Sequence, residues 1–244
     1  MKHLASFAAL LLSITAFSAA VEPEELLRDA ALFGRFETLT ARIDMDIHDR
    51  GVKSRTFELF VEQNGDFHKA FMHVIAPVFL NRMKFLTIGR VERTDQWIST
   101  SRGVRRVAGS ARTERLFDSD FVVDDFMPPQ AGEYELRELP NERVNGEPAR
   151  VLEVTPLRGP PDYSRRVVYI STADRILVRA EYYSDSGELV RLFELHERRL
   201  VDGVPFPARA TMHTLSAGTY TEIVLQEART GATIPARIFS PGNL

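Results

Sequence analysis

Ser119 lies among Asp118, Asp120, Asp124 and Asp125, the one place where a hydroxyl and several carboxylates crowd together. A serine becomes a nucleophile only when a base removes its proton, and the sequence identifies no such base. The simpler reading is a capped turn or helix start, because Ser and Asp side chains accept hydrogen bonds from free N–H groups. Just upstream, Arg102, Arg105, Arg106, Arg112 and Arg115 form a basic stretch. It could meet a lipid head group or an acidic partner. It could equally pair with Asp118 to Asp125 on a solvated loop.

The rest of the chain offers little for catalysis. It has no G-x-S-x-G elbow, no H-E-x-x-H pair and no phosphate-binding glycine loop. Cysteine is absent, which removes thiol chemistry and disulfides. His48, His68, His73, His196 and His213 are dispersed over separate segments without metal-ligand spacing, so no metal is expected. No motif asks for a cofactor. The chemistry therefore reads as binding rather than catalysis.

The apolar inventory points the same way. There are 16 Phe and six Met, and Phe57, Met72, Phe79, Met83, Phe85 and Trp97 fall in one stretch. Flexible Met and aromatic side chains can line an adaptable lipid cavity, and they also fill ordinary cores.

Those residues must be positioned by strands. Leu39, Ala41, Ile43, Met45 and Ile47 alternate with polar neighbours, a period of two with one dry and one wet face. Phe57, Leu59 and Val61 repeat the pattern, Asn64-Gly65 signals a hairpin, and Ala70, Met72 and Val74 follow. In the second half, residues 151–155, 166–171, 176–183, 189–198, 209–215 and 220–226 read as extended, and 234–239 as a final short strand. Turns at 184–187, Asp202-Gly203 and Gly218 separate several of them. About ten strands on short turns make an antiparallel meander, because parallel crossovers would need helices between strands. A sheet that long must curl, close or split. The 128–145 region, rich in Pro, Gly and Glu, reads as a boundary or as a loop across the mouth of a barrel. A single domain over 21–244 is the favoured reading.

One helix is expected, from Pro23 to Phe36. Proline suits a first turn, Glu24 and Glu25 oppose the positive end of the helix dipole, and Gly34 is the expected stop. Before it, Lys2 and His3 precede an uncharged apolar run from Leu4 to Phe17, then Ser18, Ala19 and Ala20. This reads as a secretory signal peptide over residues 1–20. The apolar run is short for a membrane span. Without Lys2 the chain carries 30 basic against 34 acidic residues, which argues against nucleic acid as a partner. The mature protein is expected to be soluble in the periplasm, with no lipidation cysteine to tether it.

Several segments together resemble the outer-membrane lipoprotein-sorting family, LolA-like and LolB-like. Trp97 to Ser110 matches its Trp, strand and Arg-Arg-Val order, and Asp118 to Phe126 its Ser-Asp-Phe segment with a downstream Asp. Residues 177–190, 201–207, Met212, Thr221 and 234–239 follow in the family's order, so that the resemblance covers about residues 30–244. Asp118 stands where the family usually has Gly, and Ile98 to Ser101 replaces an aromatic-Tyr-Leu-Pro segment. The resemblance implies a mainly β protein, a curved antiparallel sheet forming a half-open β-barrel with a few helices covering the mouth. It further implies a concave apolar side that holds lipid or acyl chains, and an inner-membrane transporter as partner.

Strand alternation then nominates Phe57, Leu59, Met72, Val74, Phe79, Met83, Phe85, Trp97, Phe121, Phe126, Val168, Ile170, Tyr182 and Met212 as ligand-lining. Arg102, Arg105 and Arg106 are nominated for partner or head-group contact. The carrier reading leads. An interaction or sensor module on the same scaffold comes second, and a lipid hydrolase built on Ser119 comes last.

Overall fold

A computed structural model of the 244-residue chain describes residues 21–31, 35–65, 67–90, 93–107, 114–122, 125, 132–157 and 163–244. Thirteen strands form one antiparallel sheet. In chain order they are β1 (Thr38–His48), β2 (Val52–Asn64), β3 (Phe67–Ala76), β4 (Lys84–Arg90), β5 (Arg93–Thr100), β6 (Gly103–Val107), β7 (Tyr134–Val144), β8 (Glu147–Pro156), β9 (Arg165–Ser171), β10 (Leu177–Tyr183), β11 (Leu189–Val201), β12 (Val204–Thr214) and β13 (Thr219–Thr230).

The spatial order is β6-β5-β4-β3-β2-β1-β13-β12-β11-β10-β9-β8-β7. The chain therefore runs outward through six hairpin-linked strands, jumps to the far edge, and returns through seven more until β13 pairs with β1. Strands β6 and β7 stay unpaired on their outer sides, so the sheet is curved but open. Short turns drive the meander. Asn145-Gly146 and Asp202-Gly203 both take positive φ at two successive positions, the conformation that matches the twist of the flanking strands. The Asp202 carboxylate also accepts from the Thr230 N–H at 3.0 Å and its hydroxyl at 2.6 Å, pinning that turn to the end of β13.

Alternation decides the two faces. Leu39, Ala41, Ile43, Met45 and Ile47 of β1 lie on the concave face, opposite Phe57, Leu59 and Val61 of β2. These join a core that continues through Met72, Phe85, Met212, Phe193, Val168 and Leu152. Full burial of one such side chain stabilises by roughly 1.5–3 kcal/mol. A smaller cluster lies on the convex face. There Phe71, Leu86, Ile234 and Phe239 pack together with Trp97 against them.

Three expectations are corrected. The helix is shorter: α1 spans Pro23–Asp29, with Leu26 and Leu27 buried in the main core, and Leu32 to Gly34 lie outside the described residues. The 128–145 region is not a loop over its length, because Tyr134–Val144 is edge strand β7. Its proline and charges reflect exposure, since edge strands carry such residues to discourage further pairing. The 234–239 segment is not a strand: Ala236–Phe239 is a 3-10 turn that lays Phe239 on the convex cluster. Among the described residues no helix is long and apolar enough to cross a membrane.

Candidate functional site

The topology has one consequence for the concave face. Every connection but one is a short turn or loop, and the exception, residues 108–133, must carry the chain from one sheet edge to the other. Within it, residues 116–122 except the exposed Asp118 are buried in the bowl. Leu116, Phe117 and Phe121 are buried in the main core. A bridge between Arg115 and Val122 closes this segment into a compact loop, with the Leu116 N–H donating to the Phe121 carbonyl at 2.8 Å.

Polar contacts hold the loop to the sheet. Asp120 is fully buried, and its carboxylate accepts from the hydroxyls of Thr219 and Thr221, the latter at 2.7 Å. The Asp120 N–H in turn donates to the Thr221 hydroxyl at 2.8 Å. Arg115 donates to the Asp120 carboxylate at 3.1 Å and to the Ser119 carbonyl at 2.6 Å. From β11, the buried Arg191 donates to the Asp120 carbonyl at 3.0 Å and pairs with the Asp125 carboxylate. Tyr182 also donates to Asp125, at 3.3 Å, and the Arg191 guanidinium stacks over the Tyr182 ring. Burial alone would lower the pKa of Arg191, yet the Asp125 carboxylate holds it above the usual arginine value. Burial, with Asp125 beside it, pushes the Tyr182 hydroxyl up.

A second buried arginine, Arg55 of β2, reaches Asp118 at 3.2 Å. Burial lowers its pKa and Asp118 works against that shift. Nε and Nη1 of both Arg55 and Arg191 are buried without a hydrogen-bond partner among the described residues. The loop backbone is also unusual, since Phe117 and Asp118 adopt φ of 55° and 60° in succession. Non-glycine residues in the left-handed region cost of order 1–3 kcal/mol each, so the surrounding contacts must hold them there.

Of the expected lining residues, Phe57, Leu59, Met72, Val74, Phe85, Phe121, Val168, Ile170, Tyr182 and Met212 come together in the one buried core cluster of the bowl. Met83 packs against its edge. Two nominations belong elsewhere. Phe79 sits in the Val78–Leu80 3-10 turn, outside any strand, and is 82% exposed. Trp97 pairs across β4 with Leu86, and both face the convex cluster. Phe126 lies outside the described residues.

The three nominated arginines do not act together. Arg105 pairs with Glu114 and Arg106 with Asp95, whereas Arg102 forms no ion pair among the described residues. Ser119 is the turn cap. Its hydroxyl donates to the Leu116 carbonyl at 2.6 Å and accepts from the Phe121 N–H at 3.2 Å. Sequence reasoning missed Arg55 and Arg191, although a signal existed. Each occupies a dry-face position in its own strand, in step with Phe57 and Leu59 or with Phe193 and Leu195.

Comparison with solved structures defines the class. A DUF1329 family protein from Desulfovibrio piger superposes with a TM-score of 0.82 at 22% identity, covering 91% of this chain and 97% of that one. A domain described as an outer membrane lipoprotein-sorting protein, from Vibrio parahaemolyticus, gives 0.81 at 20% identity, covering 90% and 97%. A LolA superfamily protein from Nitrosomonas europaea gives 0.71 at 19% identity, covering 92% and 100%. The fold is thus that of the LolA-like lipoprotein-sorting proteins. By sequence, residues 66–244 match the model of a family described as "uncharacterized protein", and the chain belongs to that family. A search of curated proteins finds no match.

Proposed function

We propose that the protein is a periplasmic carrier that buries lipid or lipoprotein acyl chains in the concave face of its sheet, as an accessory to an envelope transporter. In this reading residues 1–20 are a cleaved signal peptide and 21–244 form one carrier domain. The observation that carries the proposal is the loop of residues 114–122. It is a chain segment seated on a continuous apolar wall, with Leu116, Phe117 and Phe121 filling the bowl and polar latches fixing its position.

An acyl chain would take the place of those three side chains. Each buried CH₂ contributes about 0.8 kcal/mol, so a long chain can offset both the loss of the loop's packing and its latches. The spare N–H groups of Arg55 and Arg191 would meet a carboxylate or phosphate at the polar end of the ligand. Release follows when a membrane or partner competes for the chain and the loop reseats, because a ligand shifts the equilibrium only by its differential affinity for the two states. Likeness to lipoprotein-sorting folds supports this reading at the level of architecture.

Native mass spectrometry with lipid extraction, on protein purified from the periplasm, tests it. Co-purifying phospholipid or acylated peptide is the expected result. An empty protein that also fails to take up a fluorescent fatty acid would exclude the carrier and favour an interaction module on the same scaffold.

A further inference from the structure

The bowl carries unpaired polar atoms at two opposite ends. Arg55 and Arg191 mark one end. Arg55 stands beside Met45 of β1, two positions from Ile47, which pairs with Thr221. Thr221 and Arg191 in turn both hold Asp120. His68 of β3 marks the other end. It continues the concave face beyond Val74, Met72 and Ala70, stands opposite Gln63 of β2 and is 8% exposed. Its Nε2 is buried with no hydrogen-bond partner among the described residues. Thr87 and Gln96, both buried on the neighbouring cross-strand row, widen this polar end toward β5. Gly89 flanks His68 on β4, so no side chain crowds the ring from that strand.

We infer that the bowl is built for an acyl ligand that is polar at both ends, with an acid group at Arg55 and Arg191 and a hydroxyl at His68. The inference rests on the carrier reading and narrows its ligand. An imidazole out of water without a partner weakens a fold, and a leucine would fill the same place without that cost. A partner supplied by the ligand removes the conflict. Burial lowers the pKa of His68, so the ring is neutral at pH 7 and suits a neutral group rather than a second acid. A hydroxyl can both donate and accept, and so matches Nε2 in either tautomer. Spacing sets the length. Arg55 and Gln63 are the two ends of this stretch of β2, about 26 Å apart at roughly 3.3 Å per residue. Between them β2 turns only Phe57, Leu59 and Val61 to the bowl. An extended chain advances about 1.27 Å per bond, so roughly 16 carbons fill the gap once both side chains reach inward.

Displacement of a bound fluorescent fatty acid tests it, with palmitic acid, ω-hydroxypalmitic acid and a palmitic acid hydroxylated at mid-chain as competitors. The ω-hydroxy acid should bind at least as tightly as palmitic acid. The mid-chain isomer should bind about tenfold more weakly, because its hydroxyl is buried against an apolar wall. His68→Leu should weaken the ω-hydroxy acid about tenfold and change palmitic acid by less than about twofold, and His68→Gln should keep most of the preference. The isomer comparison needs no variant, so it decides the matter even where His68→Leu fails to fold. Equal weakening of the two hydroxy acids relative to palmitic acid, or an equal effect of His68→Leu on palmitic and ω-hydroxypalmitic acid, would overturn this inference and leave the carrier standing. Failure of all three acids to bind would overturn both.

Discussion

Arg191 of β11 donates from a single nitrogen, Nη2, to the backbone carbonyl of Asp120 while pairing with the carboxylate of Asp125. One guanidinium therefore grips the crossing loop at two points five residues apart. Both Arg191 and Asp125 are almost fully buried, so neither charge has water to fall back on. The loop is consequently either latched or free of this contact, with little to gain from an intermediate position.

Removing the arginine should be costly. Arg191→Ala leaves Asp125 buried and unpaired, and breaking a buried pair from one side typically costs about 3–5 kcal/mol. Urea unfolding should show a loss of that order. A loss below about 1 kcal/mol would mean that the pair is solvated and the latch weak.

The threonine contacts should be smaller and coupled to Asp120. Thr221→Val removes one hydroxyl from a buried carboxylate, a bond to a charged group worth about 1.5–3 kcal/mol. In an Asp120→Ala background the same change should cost less, because the carboxylate is gone and only the backbone N–H of residue 120 still donates to that hydroxyl. A double-mutant cycle with no coupling energy would contradict the geometry.

Acid should loosen the fold through His68. This residue of β3 is buried, its Nε2 has no hydrogen-bond partner among the described residues, and burial holds its pKa below 6.5. The unfolded chain therefore takes up the proton first as pH falls. The stabilisation is present above 6.5 and is lost below it. Urea midpoints should drop between pH about 7.5 and about 5.5, and less so in His68→Gln. An identical pH slope in that variant would assign the effect elsewhere.

Aromatic residues on and off the wall should separate cleanly. Phe85, fully buried, should cost about 3–5 kcal/mol as Phe85→Ala. Phe79→Ser, at an exposed turn, should stay within about 0.5 kcal/mol of the parent. Thermal or urea melts of the two variants check both statements.

Much of this architecture is legible in residue alternation. The dry face of β1, the Asn64-Gly65 turn and the long return from residue 151 follow from a period of two and from turn chemistry. Edge strand β7 is hard to read because its inward residues, Tyr134, Leu136, Leu139 and Val144, are only partly buried and fall out of step at a register shift, leaving Pro140 and a run of charges to read as loop. Trp97 and Phe79 were misplaced for different reasons. Alternation says that Trp97 and Ile98 face opposite ways but not which way is inward, and Phe79 lies in a turn where no alternation applies. The latch was hidden because its partners are about 70 to 100 residues apart, joined only once β13 closes on β1.

The central claim is that an acyl chain replaces the crossing loop in the bowl, and the sole tryptophan, Trp97, makes a direct test simple. In a Trp97→Phe, Phe121→Trp variant, the only indole would report on the loop. Its emission should be blue-shifted in the free protein, as expected of a buried position, and should move to the red on titration with a long-chain fatty acid. Saturable fatty-acid binding with no change in that emission would contradict displacement of the loop, and no binding at all would contradict the carrier itself.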